Sequence, residues 1–159
     1  MEDLVGLVFA TYPSWAHLVV RVGLGIIFFA HGAQKVFGWF GGHGLSATIA
    51  GFRQMNVPPG ATVLAACIEC FGGLAMIVGF LARPSGLGLI VVMLVAVAKV
   101  HGRNGFFLNF MMTPGKGHGY EFNLALIAMA LSIVIGGAGV LSIDWLIAPL
   151  GGVGGGAAR

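Results

Sequence analysis

Four long apolar segments dominate this sequence and constrain its fold more than any other feature. They are predicted to run from Trp15 to about Phe37, from Ala61 to Ala82, from Ser85 to His101 and from Tyr120 to about Leu141. About 17 to 25 helical residues, at ~1.5 Å per residue, cross a hydrocarbon core of ~30 Å. The sequence therefore predicts an all-α integral membrane protein built as a four-helix bundle.

The scarcity of charge excludes a soluble domain. Asp, Glu, Lys and Arg make up 8% of the 159 residues, whereas soluble domains carry about 25%. The basic residues occur singly, without the cluster that a nucleic-acid surface needs. The lipid bilayer is therefore the expected partner, and no nucleic acid is expected to bind.

Two long connections are predicted to lie at the membrane interface. One joins helices 1 and 2, and the other, residues 102–119, joins helices 3 and 4. Both are rich in glycine and aromatic residues. Leu45 to Met55, within the first connection, is predicted to form a short interfacial helix whose apolar side chains dip into the membrane boundary.

The remaining connection is much shorter. Arg83-Pro84 is predicted to close the second span, so the second and third helices are antiparallel neighbours. The chain is expected to form a single four-helix transmembrane domain over residues 1–150. Residues 151–159 are expected to be a disordered Gly/Ala tail.

Polar and titratable side chains cluster toward one membrane side, the side at which the first apolar segment ends, called side B here. Charge inside a bilayer costs ~2.5 kcal/mol or more per residue, so such residues mark a structural ion pair or a functional site. Lys99 and His101 lie ~200° apart on a helix, so only one of them is expected to face inward. The candidates for an internal ligand pocket opening to side B are Arg21, His31, Lys35, Trp39, Glu69, Lys99, His101 and Glu121.

Two interpretations of these groups stay open. Arg21 has a side chain long enough to reach toward Glu69, which would make a structural ion pair between helices, and the lysines could snorkel to the interface. Alternatively, the groups share a pocket capped by the aromatic loop Phe37 to Phe40. Its excess positive charge would suit an anionic ligand or a quinone carbonyl that becomes negative on reduction, with histidines relaying protons.

Cys67 and Cys70 are three residues apart within the second apolar segment. Vicinal cysteines can pass electrons from thiols to quinone, which makes them a candidate redox pair. The alternative is that they are small apolar residues of a buried helix. Two cysteines at this depth do not supply enough ligands for zinc, so no metal site is expected.

Several motifs resemble those of the DoxX family. The first two helices carry Arg21 with Gly23-Leu-Gly25, His31-Gly32, Lys35-Val-Phe-Gly-Trp-Phe-Gly-Gly42, Pro58-Pro59, Glu69-Cys-Phe-Gly-Gly-Leu74, Gly79 and Arg83. The second half of the chain carries Val100-His101, Gly105-Phe-Phe107, Tyr120-Glu-Phe-Asn-Leu124, Gly137-Ala-Gly139, Ser142 and Asp144. The resemblance covers about Val20 to Trp145, which is nearly the whole chain.

This resemblance implies a multi-pass, four-helix protein of the bacterial inner (plasma) membrane. The family name comes from a subunit linked to thiosulfate:quinone oxidoreductase, and other members are implicated in membrane redox and oxidative-stress complexes. The implied function is a subunit of a quinone-linked redox system, with quinone as the ligand and no covalent cofactor.

An alternative to the redox subunit is a non-catalytic accessory subunit of a larger membrane protein complex. Either function makes other membrane protein subunits the expected partners, and catalysis by this chain alone is not expected. A small transporter fits less well, because the chain shows neither an inverted repeat nor paired broken helices.

Overall fold

The computed structural model of the protein describes residues 2–148, and all regular structure in that range is helical. The helices are α1 (Glu2–Phe9), α2 (Trp15–Val36), α3 (Gly44–Gln54), α4 (Pro59–Val78), α5 (Ala82–Asn104), α6 (Glu121–Gly136) and α7 (Ile143–Ile147). Three of them, α2, α4 and α5, are long and apolar enough to cross a membrane. The prediction of an all-α membrane protein is confirmed. The predicted tail, residues 151–159, lies outside the described residues.

The four long helices, α2, α4, α5 and α6, form a bundle. Helix α2 contacts α4 and α6, while α5 contacts both α6 and α4. Ser14 caps the start of α2, since its hydroxyl accepts a hydrogen bond of 3.2 Å from the N–H of His17. The core between the helices contains Leu24, Met76 and Ile133, all fully buried. Close van der Waals packing of this kind holds membrane helices together, because lipid tails are as apolar as the side chains.

Two glycines allow α2 and α4 to approach each other closely. A Cβ atom added to Gly32 of α2 would overlap the backbone of Cys70 in α4, and one added to Gly73 of α4 would overlap the backbone of Phe29. Helix backbones come this close only where side chains are absent. The α2–α4 interface is therefore intolerant of any larger residue at these positions.

We expect Gly32→Ala to destabilise the protein by about 1–3 kcal/mol, because the two helices must separate to admit the methyl group. Gly23→Ala on the same helix is the matched control. A Cβ at Gly23 meets no heavy atom within 4 Å, and alanine is favoured over glycine inside a helix by about 0.5–1 kcal/mol. Thermal unfolding in detergent measures both changes. Equal melting temperatures of the two variants would contradict this close packing of α2 on α4.

The turn between α4 and α5 comes earlier than predicted. Gly79 (φ +70°) and Leu81 (φ +49°) adopt the left-handed conformation, and α5 begins at Ala82. Arg83 and Pro84 therefore lie in the first turn of α5 and do not close the preceding helix. Proline is accepted there because the first N–H groups of a helix have no intrahelical acceptor.

Asp144 of α7 caps the start of α5. Its carboxylate oxygens accept hydrogen bonds of 2.8 and 2.9 Å from the backbone N–H groups of Leu81 and Ala82. Burial raises the pKa of the Asp144 carboxyl above its usual value, while these amide hydrogen bonds and the charge of Arg21 act in the opposite direction. A carboxylate at a helix N-terminus also complements the positive end of the helix dipole.

The fourth predicted span is only partly helical. α6 has 16 residues and ends at Gly136, five residues before the predicted end near Leu141. Gly137, with φ +79°, breaks the helix. Sixteen helical residues cover ~24 Å, less than a hydrocarbon core of ~30 Å. The chain continues as non-helical backbone, whose carbonyl groups need hydrogen-bond donors from elsewhere.

Arg21 supplies those donors. Its guanidinium is 1% exposed and donates to five backbone carbonyl oxygens at 2.5–3.3 Å. Three acceptors, Ala138, Val140 and Leu141, follow α6, and the other two, Met76 and Ile77, belong to the last turn of α4. One side chain thus ties the end of α4 to the non-helical part of the fourth span.

The interpretation of Arg21 and Glu69 as an ion pair is therefore wrong. The Arg21 guanidinium reaches the carbonyls of Met76 and Ile77, and Met76 lies about 10 Å along α4 from Glu69. Glu69 pairs with Lys35 instead. The two charged residues of α2, Arg21 and Lys35, lie toward opposite ends of the bundle, fourteen positions apart in the chain.

Candidate functional site

A cavity of about 680 Å³ lies inside the side B half of the bundle, between α2, α4, α5 and α6. Phe52 of α3 and Met55, which directly follows that helix, also line the cavity, as do Leu108 and Phe110 from the segment 105–120. Most of its lining side chains are apolar. Pockets for cofactors and small ligands typically measure ~300–1,000 Å³ and are mainly apolar with a few placed polar groups.

An ion pair forms one polar wall of this cavity. The carboxylate of Glu69 on α4, a residue 3% exposed, pairs with the ammonium of Lys35 on α2, whose side chain is 25% exposed. The ammonium also lies 5.9 Å from the centroid of the Phe52 ring, within cation–π range. A buried carboxylate needs such a partner, because an unpaired charge there would cost several kcal/mol.

Two π-helical turns carry charged and titratable residues of the cavity. Glu69 lies in the turn Ile68–Gly72 of α4, and the turn Val97–His101 of α5 carries Lys99 and His101. A π-helical turn inserts an extra residue into an α-helix and is frequent at functional sites. Each insertion changes which side chains of the helix point toward the cavity, at the height where Glu69, Lys99 and His101 lie.

Both Lys99 and His101 border the cavity, but Lys99 is exposed and His101 contacts the segment 105–120, so the prediction that only one of them faces inward stays a prediction. The segment 105–120 extends the cavity wall beyond the end of α5. The Nδ1 of His101 is 3.0 Å from the carbonyl oxygen of His118, and the backbone N–H of Asn109 donates to His118 Nδ1 at 3.2 Å. Neutral His118 therefore carries its proton on Nε2.

Three of the predicted pocket residues lie elsewhere. Arg21 is bonded to backbone carbonyls at the other end of the bundle, and Trp39 packs on the ring of Phe37 at 4.9 Å. Glu121 accepts a hydrogen bond of 2.8 Å from the Leu108 N–H and so anchors the segment 105–120. The aromatic loop does not cap the cavity. The predicted residues that the structure brings together on it are His31, Lys35, Glu69, Lys99 and His101, and their binding of a ligand stays a prediction.

Two further polar residues of the cavity, His118 and Asn123, were missed from the sequence. Asn123 is buried, and its amide donates to the sulfur of Met93 at 3.3 Å. The available signal was an amide inside the apolar run of α6. For His118, the signal was a histidine three residues before the start of α6 on the same membrane side as the other candidates.

Neither cysteine is among the residues that line the cavity. Cys70 is buried with its backbone against Gly32, Cys67 is half-buried, and both thiols are free. A redox role for this pair stays a prediction. Across residues 2–148, no group of three or more His, Cys, Asp or Glu side chains is placed to hold a metal ion.

Comparisons with known proteins place the chain among membrane proteins of one family. A sequence model of the DoxX family matches residues 16–102, from the start of α2 almost to the end of α5. A protein of Bacillus subtilis (strain 168) named "Putative oxidoreductase CatD" is 27% identical over 127 residues, which cover 80% of this chain and 83% of that protein. No solved structure is a significant match.

Proposed function

Because the chain belongs to the DoxX family, we propose that it is a multi-pass subunit of a quinone-linked redox system in the bacterial inner membrane. The observation that carries the proposal is the Lys35–Glu69 ion pair in the wall of a large, mainly apolar cavity. A quinone likewise combines a polar part, the carbonyl oxygens of its head group, with an apolar tail.

The charges of the cavity favour a ligand that becomes negative on reduction. Lys35 and Lys99 line it together with one carboxylate, Glu69, which leaves one excess positive charge while the histidines are neutral. The Lys35 ammonium can donate a hydrogen bond to a quinone carbonyl oxygen. A fixed cation in an apolar space stabilises negative charge on that oxygen more strongly than water would.

The cavity is also accessible from the bilayer. Leu64 of α4 and Val91 of α5 both line it, although they are 61% and 57% exposed on the lipid-facing surface of the bundle. α4 contacts α5 from Ile68 onward, so the two helices diverge toward side B. A lipid-soluble ligand can reach the cavity between these helices without passing through water.

Other membrane protein subunits complete this redox system. Reduction of a quinone to the quinol consumes two electrons and two protons, and we assign the electrons to a membrane-associated electron-transfer protein. The name of the Bacillus subtilis relative, an oxidoreductase, supports a redox role for this type of chain. In this arrangement the chain binds and orients the quinone.

Purification from native membranes in a mild detergent, followed by mass spectrometry of the bound lipids and proteins, tests the proposal. We expect about one quinone per chain, together with a redox partner. A stable complex with fixed partners but without quinone would contradict the proposal. That result would instead indicate a non-catalytic accessory subunit.

A further inference from the structure

A second, smaller pocket of about 280 Å³ lies next to the ion pair, on the other side of Lys35. The end of α2, the glycine-rich loop before α3 and the first turns of α3 form it. Its polar lining consists of Gln34, Lys35, His43 and Thr48. His43 and Ala47 are exposed, so this polar pocket opens to the aqueous surface at side B.

Lys35 lines both the polar pocket and the apolar cavity. Its side chain is 25% exposed and pairs with Glu69 at the cavity wall, while its backbone carbonyl accepts a hydrogen bond of 3.4 Å from the Thr48 hydroxyl in the polar pocket. Lys35 therefore lies between water at the surface and the space inside the bundle. The local backbone creates this arrangement. Gly42 folds back so closely on Gln34 that a Cβ atom would overlap the Gln34 backbone, and the Gln34 side-chain amide donates to the carbonyl of Phe40 at 3.0 Å.

We infer that the polar pocket is the proton pathway between water at side B and a ligand in the cavity, with Lys35 as the relay. This inference rests on the proposed function. When the quinone receives electrons from its electron-transfer partner, an O–H bond forms on the head group and an N–H bond of Lys35 breaks. The neutral amine beside Glu69 then takes a proton from water in the polar pocket, and a second cycle completes the quinol.

The surroundings of Lys35 favour this pathway over one through the cavity. The titratable and charged groups that face it are His31 on α2, His43 at the start of α3, Glu69 on α4 and Lys99 on α5. On the cavity side, apolar residues of α4 and α5 separate the pair from the lipid-facing opening. The polar pocket offers hydroxyl, amide and imidazole groups next to the aqueous surface, whereas most side chains that line the cavity are apolar and do not hold a chain of water.

The exchange of the Lys35 amine hydrogens with water, measured by lysine-selective ¹⁵N NMR in detergent, tests the pathway without any quinone. Ala47→Phe would fill the polar pocket, and we expect it to slow exchange at Lys35 about tenfold while exchange at Lys99 stays unchanged. Ala50→Phe is the matched control, because Ala50 is exposed on the same helix and lines neither pocket.

A further variant separates the two routes. Ala61 is exposed and lines only the apolar cavity, so Ala61→Phe should leave exchange at Lys35 at the wild-type rate. The inference would be overturned if Ala47→Phe had no effect, or if Ala61→Phe slowed exchange instead. Slow exchange in Ala47→Phe together with purified protein that holds no quinone would support the pathway and refute only the proposed ligand.

Discussion

Glu69→Gln is expected to weaken quinone binding by about tenfold or more. The substitution keeps the shape of the side chain but removes its charge, so the Lys35 ammonium loses its partner beside the cavity. An uncompensated cation there must turn toward the aqueous surface or attract another anion, and neither arrangement presents it to the quinone head group. Equilibrium binding of a short-tailed quinone to purified protein measures this loss.

Two further variants keep this test independent of folding. Glu121→Gln is the matched control, because Glu121 does not line the cavity and glutamine can still accept the hydrogen bond from Leu108. The double variant Lys35→Met/Glu69→Leu removes both charges, a change that is often neutral for stability. We expect it to melt like the wild type and to bind no quinone. Wild-type affinity in the double variant would show that the ion pair is not the head-group site.

Arg21→Leu is expected to cost about 3–5 kcal/mol of unfolding free energy, which makes Arg21 the most sensitive single position for stability. The variant removes hydrogen bonds to five backbone carbonyls, three of them in non-helical backbone where water is scarce. Arg21→Lys should recover part of the loss, because a lysine ammonium has three donors and lacks the planar fork of arginine. Unfolding by titration with a denaturing detergent measures these differences.

Arg53→Leu is the control for removal of an arginine, because Arg53 is exposed on α3. Its unfolding free energy should change by less than about 0.5 kcal/mol. If Arg21→Leu unfolded at the same detergent concentration as Arg53→Leu, the hydrogen bonds of Arg21 would contribute nothing to the fold.

The sequence predicts the transmembrane helices well where hydropathy alone decides. The first span, predicted from Trp15 to about Phe37, is α2 almost to the residue, and the interfacial helix predicted at Leu45–Met55 is α3. The end of the fourth span could not be found from hydropathy, because residues 137–141 carry no charged or strongly polar side chain, and the break at Gly137 depends on its positive φ. Their non-helical backbone depends on hydrogen bonds from Arg21, which is 116 or more residues earlier in the chain.

The candidate site was predicted in part because depth and helix face can be counted along the chain. Counting placed Lys35 and Glu69 in the same membrane half, but it did not choose between Arg21 and Lys35 as the partner of Glu69. That choice depends on the relative heights of two packed helices, which glycine contacts between α2 and α4 determine. The positions of Lys99 and His101 depend on a π-helical turn and on how the segment 105–120 folds, and neither follows from an ideal helical period.

The most direct test of quinone binding inside the bundle is photoaffinity labelling with a quinone analogue that carries a photoreactive group on its head. Labelled peptides would be identified by mass spectrometry. We expect saturable labelling of the α2 and α4 residues around Lys35 and Glu69, displaced by unlabelled quinone and strongly reduced in Glu69→Gln. Unsaturable labelling spread over the lipid-facing surfaces, with none around the ion pair, would contradict a quinone site in this cavity.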